Sequence, residues 1–211
     1  MKIVAIGGGN NSDIHKNGKP DIYEQKDIDM EIIRLTGKNR PKVLFIPHAS
    51  DDELGSYRKI CNTYSVMYHC STKMMSKYWL RDMQMAKILL DWADIIYVGG
   101  GNTKEMLKLW KKSGFDKKLI EAAGKDKVLC GISAGAGCWF NYTCSDYLQM
   151  ETGDINAPLM PVEGLGLVDL VFNPHANYFG RMEGIKNITG LVNMNGLSLS
   201  NNMAIEIIDD E

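Results

Sequence analysis

The sequence predicts an α/β fold, a mostly parallel sheet with helices on both faces, and three observations predict it. Short apolar runs alternate with longer segments of helical period as far as Cys130, the pattern of strand–helix–strand crossovers. Two of those runs end in the same turn, Gly7-Gly8-Gly9-Asn10 and Gly99-Gly100-Gly101-Asn102. The run Val128-Leu129-Cys130 then enters Gly131-Ile132-Ser133-Ala134-Gly135, a Gly-x-Ser-x-Gly between a strand and a small-residue helix start, the context of a nucleophile elbow.

Each element has its own signal. Lys2–Ile6 is a buried-type strand, and a polar loop through Pro20 leads to helical spacing over 23–36, with Ile28, Ile32 and Leu35 on one face and Gly37 as its stop. Val43–Ile46 is a second strand after Pro41. It ends in Pro47-His48-Ala49-Ser50, and Asp51-Asp52-Glu53 places carboxylates in the first turn of a helix running to about Met67. A short strand is expected at Tyr68–Cys70. A helix follows over Arg81–Ala93, its core face being Met85, Ile88, Leu89 and Trp92, and then a strand over 94–98. Thr103 opens a helix carrying Met106, Leu107 and Trp110, and Phe115–Ala123 is another. Beyond the elbow the pattern loosens, and loops over the site are expected between Tyr142 and Leu167. A strand over Leu167–Phe172, a helix over Arg181–Val192 and a last strand over Ala204–Ile208 complete the reading.

Size and charge narrow the function. The 211 residues suit one domain spanning 1–211, with no linker, low-complexity stretch or tandem repeat. Apolar content of 45% and a formal charge of −2 without a basic block argue against nucleic acid as a partner. No apolar stretch approaches the ~20 residues that span a bilayer, and the N-terminus reads as a strand, so no membrane partner and a cytoplasmic location are expected. Five cysteines without Cys-x-x-Cys spacing read as reduced, packed thiols, and no cofactor or metal ligand set is visible.

The elbow carries the chemistry. A bare Gly-x-Ser-x-Gly also fits a surface turn; the strand before it and the small residues after it favour a nucleophile. The tight bend pushes the Ser133 hydroxyl out at the carboxyl edge of the sheet, above a helix N-terminus whose orphan N–H groups suit an oxyanion. The second glycine turn, on a neighbouring strand, could offer a further amide to the same oxyanion. The first turn lacks the third glycine of a dinucleotide loop and any Gly-Lys-Ser/Thr, so nucleotide binding at Gly7–Asn10 is a weak alternative. A serine needs an imidazole within reach. Of the four histidines, His15 lies in a polar loop and His69 beside an apolar run. His175, after Asn173-Pro174, and His48, after the second strand, are the competitors, with His175 ahead.

The turn Val98–Thr103, the elbow Gly131–Ala136 and Asn173-Pro174-His175, in this order and at similar spacing, resemble the peptidase E family of serine peptidases. That group includes aspartyl dipeptidases and, more distantly, cyanophycinases. The resemblance implies a flavodoxin-like, doubly wound α/β sandwich related to class I glutamine amidotransferases. It also implies a dipeptidase-like hydrolysis of small peptides through an acyl-enzyme. Carried across, it makes Ser133 the nucleophile and His175 the base. It assigns the triad acid to Asp146, with Asp154 and Asp169 as alternatives, and the oxyanion donors to Gly101 and Ala134. Asn102 and Arg181 are implied as substrate contacts, the latter facing an acidic side chain. The expected partner is a small peptide, and the chain is expected as a monomer or homodimer. A cyanophycinase-type isopeptidase, an esterase and a non-catalytic α/β binding protein remain as alternatives.

Overall fold

A computed structural model describes residues 1–9 and 25–208. Its main sheet is built from the apolar runs. Strands β1 (Lys2–Ile6), β2 (Lys42–Ile46), β3 (Ser71–Met74), β4 (Ile95–Val98) and β5 (Val128–Ile132) are all parallel, and β10 (Ala204–Ile208) joins antiparallel to β1, in the order β10-β1-β5-β4-β2-β3.

The period of two along each strand divides the core. Ile3, Leu44, Ile96 and Leu129 face one side, where α3 (Met83–Trp92), α4 (Thr103–Ser113) and α5 (Phe115–Ala123) pack. Val4, Phe45, Ile95 and Cys130 face the other, against α1 (Lys26–Leu35), α2 (Leu54–Ile60) and the π-helical turn Cys61–Met67 that continues it. Burial on both faces is why these strands read as unbroken apolar runs.

The segment expected as loops is instead part of a second, four-stranded sheet. β6 (Phe140–Ser145), α7 (Tyr147–Thr152) and β7 (Met160–Glu163) occupy it, and β8 (Val168–Pro174) and β9 (Gly196–Leu199) complete the order β7-β6-β8-β9. Phe140 and Phe172 stack at 4.7 Å within the core shared with the first sheet. α8 (Arg181–Val192) covers this second sheet through Ile185 and Ile188.

Other expectations shift locally. Asp51 and Asp52 lie in left-handed conformations before α2 (φ 58 and 63) rather than in its first turn, and Asp52 accepts from Ser76 Oγ at 2.6 Å. The third strand begins one residue after Cys70. On α3 the core face is Ala86, Leu89 and Leu90, and Ile88 is exposed. The helix expected from residue 23 is described from Lys26; its first residues, like His15 and Asn10, lie outside the described residues. Among the described residues no helix is long and apolar enough to cross a membrane.

Candidate active site

The elbow forms because its glycines leave no room for anything larger. A Cβ at Gly131 would lie 2.2 Å from the Gly135 carbonyl oxygen, and one at Gly135 would lie 2.1 Å from that of Val98. With the backbone this close, Ser133 is forced to φ 55, ψ −116, a strained region for a residue with a side chain. Its amide donates to the Ile6 carbonyl at 2.9 Å, tying the bend to β1. The short helix α6 (Ala134–Gly137) starts one residue on, so the Ala134 amide is a helix N-terminal donor.

The Ser133 hydroxyl meets His175 Nε2 at 2.6 Å. His175 follows the last residue of β8 and is itself strained, at φ 132. On the far side of the ring, Nδ1 lies 2.8 Å from Oδ1 of Asn201. The consistent tautomer has Nδ1–H donating to the Asn201 oxygen and Nε2 accepting from the serine. Asn201 is held in turn: its Nδ2 donates to the Tyr178 hydroxyl at 3.1 Å, and its amide donates to Asn177 Oδ1 at 3.0 Å. The Tyr178 ring lies parallel to the imidazole, 5.4 Å away. Burial holds the His175 imidazole below its ordinary range; the Asn201 bond raises it, Arg181 lowers it and Asp146 raises it. The ring is therefore neutral, and able to accept a proton, at neutral pH.

Register explains why Asn201 is there. β8 and β9 are parallel with Pro174 opposite Leu199, so His175, one residue past β8, and the turn carrying Asn201, two residues past β9, emerge at the same end of the pair. The first glycine turn is their seat. The Gly8 carbonyl accepts from the Asn202 amide at 2.8 Å and from Gln25 Nε2 at 3.1 Å, and a Cβ at Gly8 would lie 2.3 Å from the His175 ring. Gly7 and Gly8 thus admit the histidine and its partner.

Several expected residues are placed elsewhere. Asp146 is not behind His175. It accepts from Arg181 Nη2 at 2.5 Å, while Arg181 Nη1 reaches the Cys144 carbonyl at 3.3 Å. That pair joins the start of α8 to the end of β6, so the buried Arg181 is spent on structure. Asp154 caps its own turn through the Asn156 amide, and Asp169 pairs with Asn141. Asn102 is an N-cap: its Oδ1 accepts from the Glu105 amide at 3.1 Å. His48 is buried against Trp110, whose Nε1 donates to its Nδ1 at 2.8 Å, and burial pushes its pKa down to about 4. His69 is exposed, away from the elbow.

In the second glycine turn, the Gly99 and Asn102 amides donate to Ile46 and Ala49. Gly100, between them, lines the pocket in front of Ser133, while the Gly101 Cα lies against the Ala49 carbonyl at φ 139. That pocket has a volume of about 220 Å³. Its walls are apolar, from Phe45, Ile60, Tyr97 and Ile132, and its one charged side chain among the described residues is Lys59 of α2. No ion pair to Lys59 forms among the described residues.

Asn201 and Lys59 were missed by sequence reasoning. The first sits in Ser200-Asn201-Asn202, a polar turn that only a strand over Gly196–Leu199 makes significant. Lys59 carries no sequence signal that sets it apart from the other lysines.

Comparison with known proteins gives the chain's family. The model of peptidase family S51 matches residues 3–211. The uncharacterized peptidase YgaJ of Bacillus subtilis (strain 168) is 31% identical over 174 residues, covering 82% of this chain and 68% of that one. The uncharacterized peptidase Lmo0363 of Listeria monocytogenes is 36% identical over 87 residues, 40% of each chain. Among solved structures, a Listeria monocytogenes EGD-e protein named for peptidase E aligns with a TM-score of 0.70 at 22% identity, over 100% of this chain and 95% of that one. A peptidase from an acI-B1 actinobacterium aligns at 0.67 and 15%, over 97% and 82%. The two structures share the fold, and the sequence match carries the lineage: this chain belongs to peptidase family S51 and is a hydrolase of the peptidase class.

Proposed function

We propose that the protein hydrolyses small peptides, dipeptides among them, through an acyl-enzyme on Ser133. The observation that carries this reading is the 2.6 Å contact between the Ser133 hydroxyl and His175 Nε2 at the mouth of a pocket. His175 takes the hydroxyl proton as Oγ attacks the scissile carbonyl carbon. The resulting oxyanion is held by the amides of Ala134 and of the Gly100–Gly101 turn, donors typically worth ~2.7–4 kcal/mol each. Nε2–H then passes its proton to the departing amine, the C–N bond breaks, and a serine ester remains. Water, deprotonated by the same imidazole, attacks that ester and releases the acid.

Asn201 takes the place expected for Asp146. A neutral amide cannot pair with an imidazolium as a carboxylate does, but it fixes the tautomer and ring plane, as the asparagine of papain-like Cys-His-Asn sites does. Its Nδ2 donates to the Tyr178 hydroxyl, the orientation that leaves Oδ1 facing Nδ1.

The acyl side is the 220 Å³ pocket, since it touches both Ser133 and the oxyanion turn. Its size favours a single residue. With Arg181 committed to Asp146, the cation available for an acidic side chain is Lys59. Labelling with a fluorophosphonate tests the reading. Stoichiometric modification of Ser133, and peptide hydrolysis lost in Ser133→Ala, are expected; an unlabelled, folded protein whose residual activity survives that substitution refutes it. Asp-Xaa dipeptides, neutral dipeptides and p-nitrophenyl esters assayed side by side separate a peptidase from an esterase.

A further inference from the structure

The catalytic imidazole stands between two cavities of unequal size and opposite charge character. On the Ser133 side is the smaller pocket of about 220 Å³ with Lys59 in its wall. On the other side a groove of about 800 Å³ runs from His175 and Tyr178 past Arg181 to Leu159 and Ile155. Ser133 is not among the residues lining that groove. We propose that this groove is the leaving-group side of the site, and that it selects peptides extending at least two residues beyond the scissile bond over dipeptides. The proposal rests on the acyl-enzyme reading above.

Chemistry assigns the direction. Nε2–H must protonate the departing nitrogen, so the leaving chain lies over the imidazole, on the side of the cavity that His175 lines and Ser133 does not. Charge then decides the length. The leaving group of a dipeptide is a single amino acid, whose carboxylate lies on the first residue past the cut. Besides the neutral His175 ring, the charged groups lining the groove are Asp146, Arg181 and Glu183, and Arg181, the one cation among them, is bound to Asp146. Glu183 and the unshared oxygen of Asp146 face that carboxylate unfavourably. A longer leaving chain moves the carboxylate outward and puts a neutral peptide in its place. The outer walls suit such a chain: Ile155 is 81% exposed and Phe179 fully exposed, apolar side chains that gain by being covered. Asn156 and Asn187 offer side-chain amides to its backbone.

The test is a length series, Asp-Leu, Asp-Leu-Ala and Asp-Leu-Ala-Ala with the matching Ala-Leu set, products identified by mass spectrometry. Cleavage after the first residue is expected throughout, with kcat/KM rising about tenfold from dipeptide to tetrapeptide, the factor given by ~1.4 kcal/mol of relieved repulsion and covered surface. Ile155→Asp and Phe179→Ser, both at exposed positions, are expected to bring the tetrapeptide down to the dipeptide value and to leave dipeptide hydrolysis unchanged. A flat or falling series in active enzyme overturns the groove assignment, as does a rise that survives both substitutions. Failure at every length with Ser133 unlabelled removes the peptidase mechanism itself, a distinct result.

Discussion

Replacing Asn201 by aspartate places a carboxylate where an amide oxygen now lies 2.8 Å from His175 Nδ1. The side chains are isosteric, and the Tyr178 hydroxyl, which now accepts from Nδ2, can donate to the new carboxylate instead. An opposite charge at this range raises a histidine pKa by ~1–3 units. The imidazole is only partly buried, and Asp146 already acts on it. The lower part of that range applies, ~1–2 units or ~1.4–2.7 kcal/mol in favour of the imidazolium. In the native enzyme burial keeps the ring below its ordinary range, so the acid limb of kcat/KM falls below about pH 6.5. In Asn201→Asp that limb should move upward by ~1–2 pH units while activity on the plateau is kept. The pH profile of kcat/KM measures it, and the imidazole resonances of His175 followed by NMR give the same shift without turnover. An acid limb that stays in place, or moves down, refutes the arrangement of Asn201 behind the base. Asn201→Ala supplies the complementary loss, at least ~10²-fold in kcat from an imidazole no longer held in one tautomer.

The remaining predictions concern residues outside the proton path. Asp29 is wholly buried, its carboxyl accepts from the Tyr64 hydroxyl at 2.5 Å, and burial raises its pKa from 3.8 to about 7. A raised folded pKa stabilises fully below about pH 4, and the benefit is lost as pH climbs through about 7, ~4 kcal/mol in all. Asp29→Asn should therefore narrow the difference in Tm between pH 5 and pH 8; parallel Tm curves for the two proteins would contradict the buried acid. Removing one partner of the ion pair in Arg181→Met should cost about 2 kcal/mol, less than for a fully buried pair because Asp146 is partly exposed. Thermal melts should show it as a fall of roughly 4–8 °C. The same variant should keep its ratio of acidic to neutral substrate turnover; loss of that ratio would return the carboxylate-reading role to Arg181. Lys59→Met should raise KM for an acidic first residue by about tenfold and leave neutral ones unchanged, which steady-state kinetics will decide.

The strands of the main sheet were legible because burial on both faces leaves an unmistakable apolar signature, and the elbow because backbone crowding admits only glycine at two of its positions. The Ser133–His175 contact joins that elbow to the Asn173-Pro174-His175 turn. Asp146 did not hold, for a physical reason: a carboxylate near a base in sequence order says nothing about which loops the second sheet brings together. β9 is only four residues, begins with glycine and carries one buried leucine, too little for a periodic signal. Without it the neighbourhood of His175 and Asn201 could not be foreseen. The two Gly-Gly-Gly-Asn turns look alike in sequence and both border the pocket, but the first also seats the His175 ring. The phase of α3 differs because Ile88 looks like a core residue by composition while the helix turns it outward and buries Ala86 and Leu90 instead.

Ser133, the proposed nucleophile, follows β5 of the main sheet, while His175 and its amide partner Asn201 follow β8 and β9 of the other. A plane of separation therefore passes through the hydrogen bond on which the proposed turnover depends, and the apolar core common to both sheets, with the contacts of Gly7 and Gly8 to the turn 199–202, acts as its clasp. Slight parting of the two layers would silence the enzyme while each remained folded, so mild denaturant should extinguish turnover ahead of the loss of helical signal.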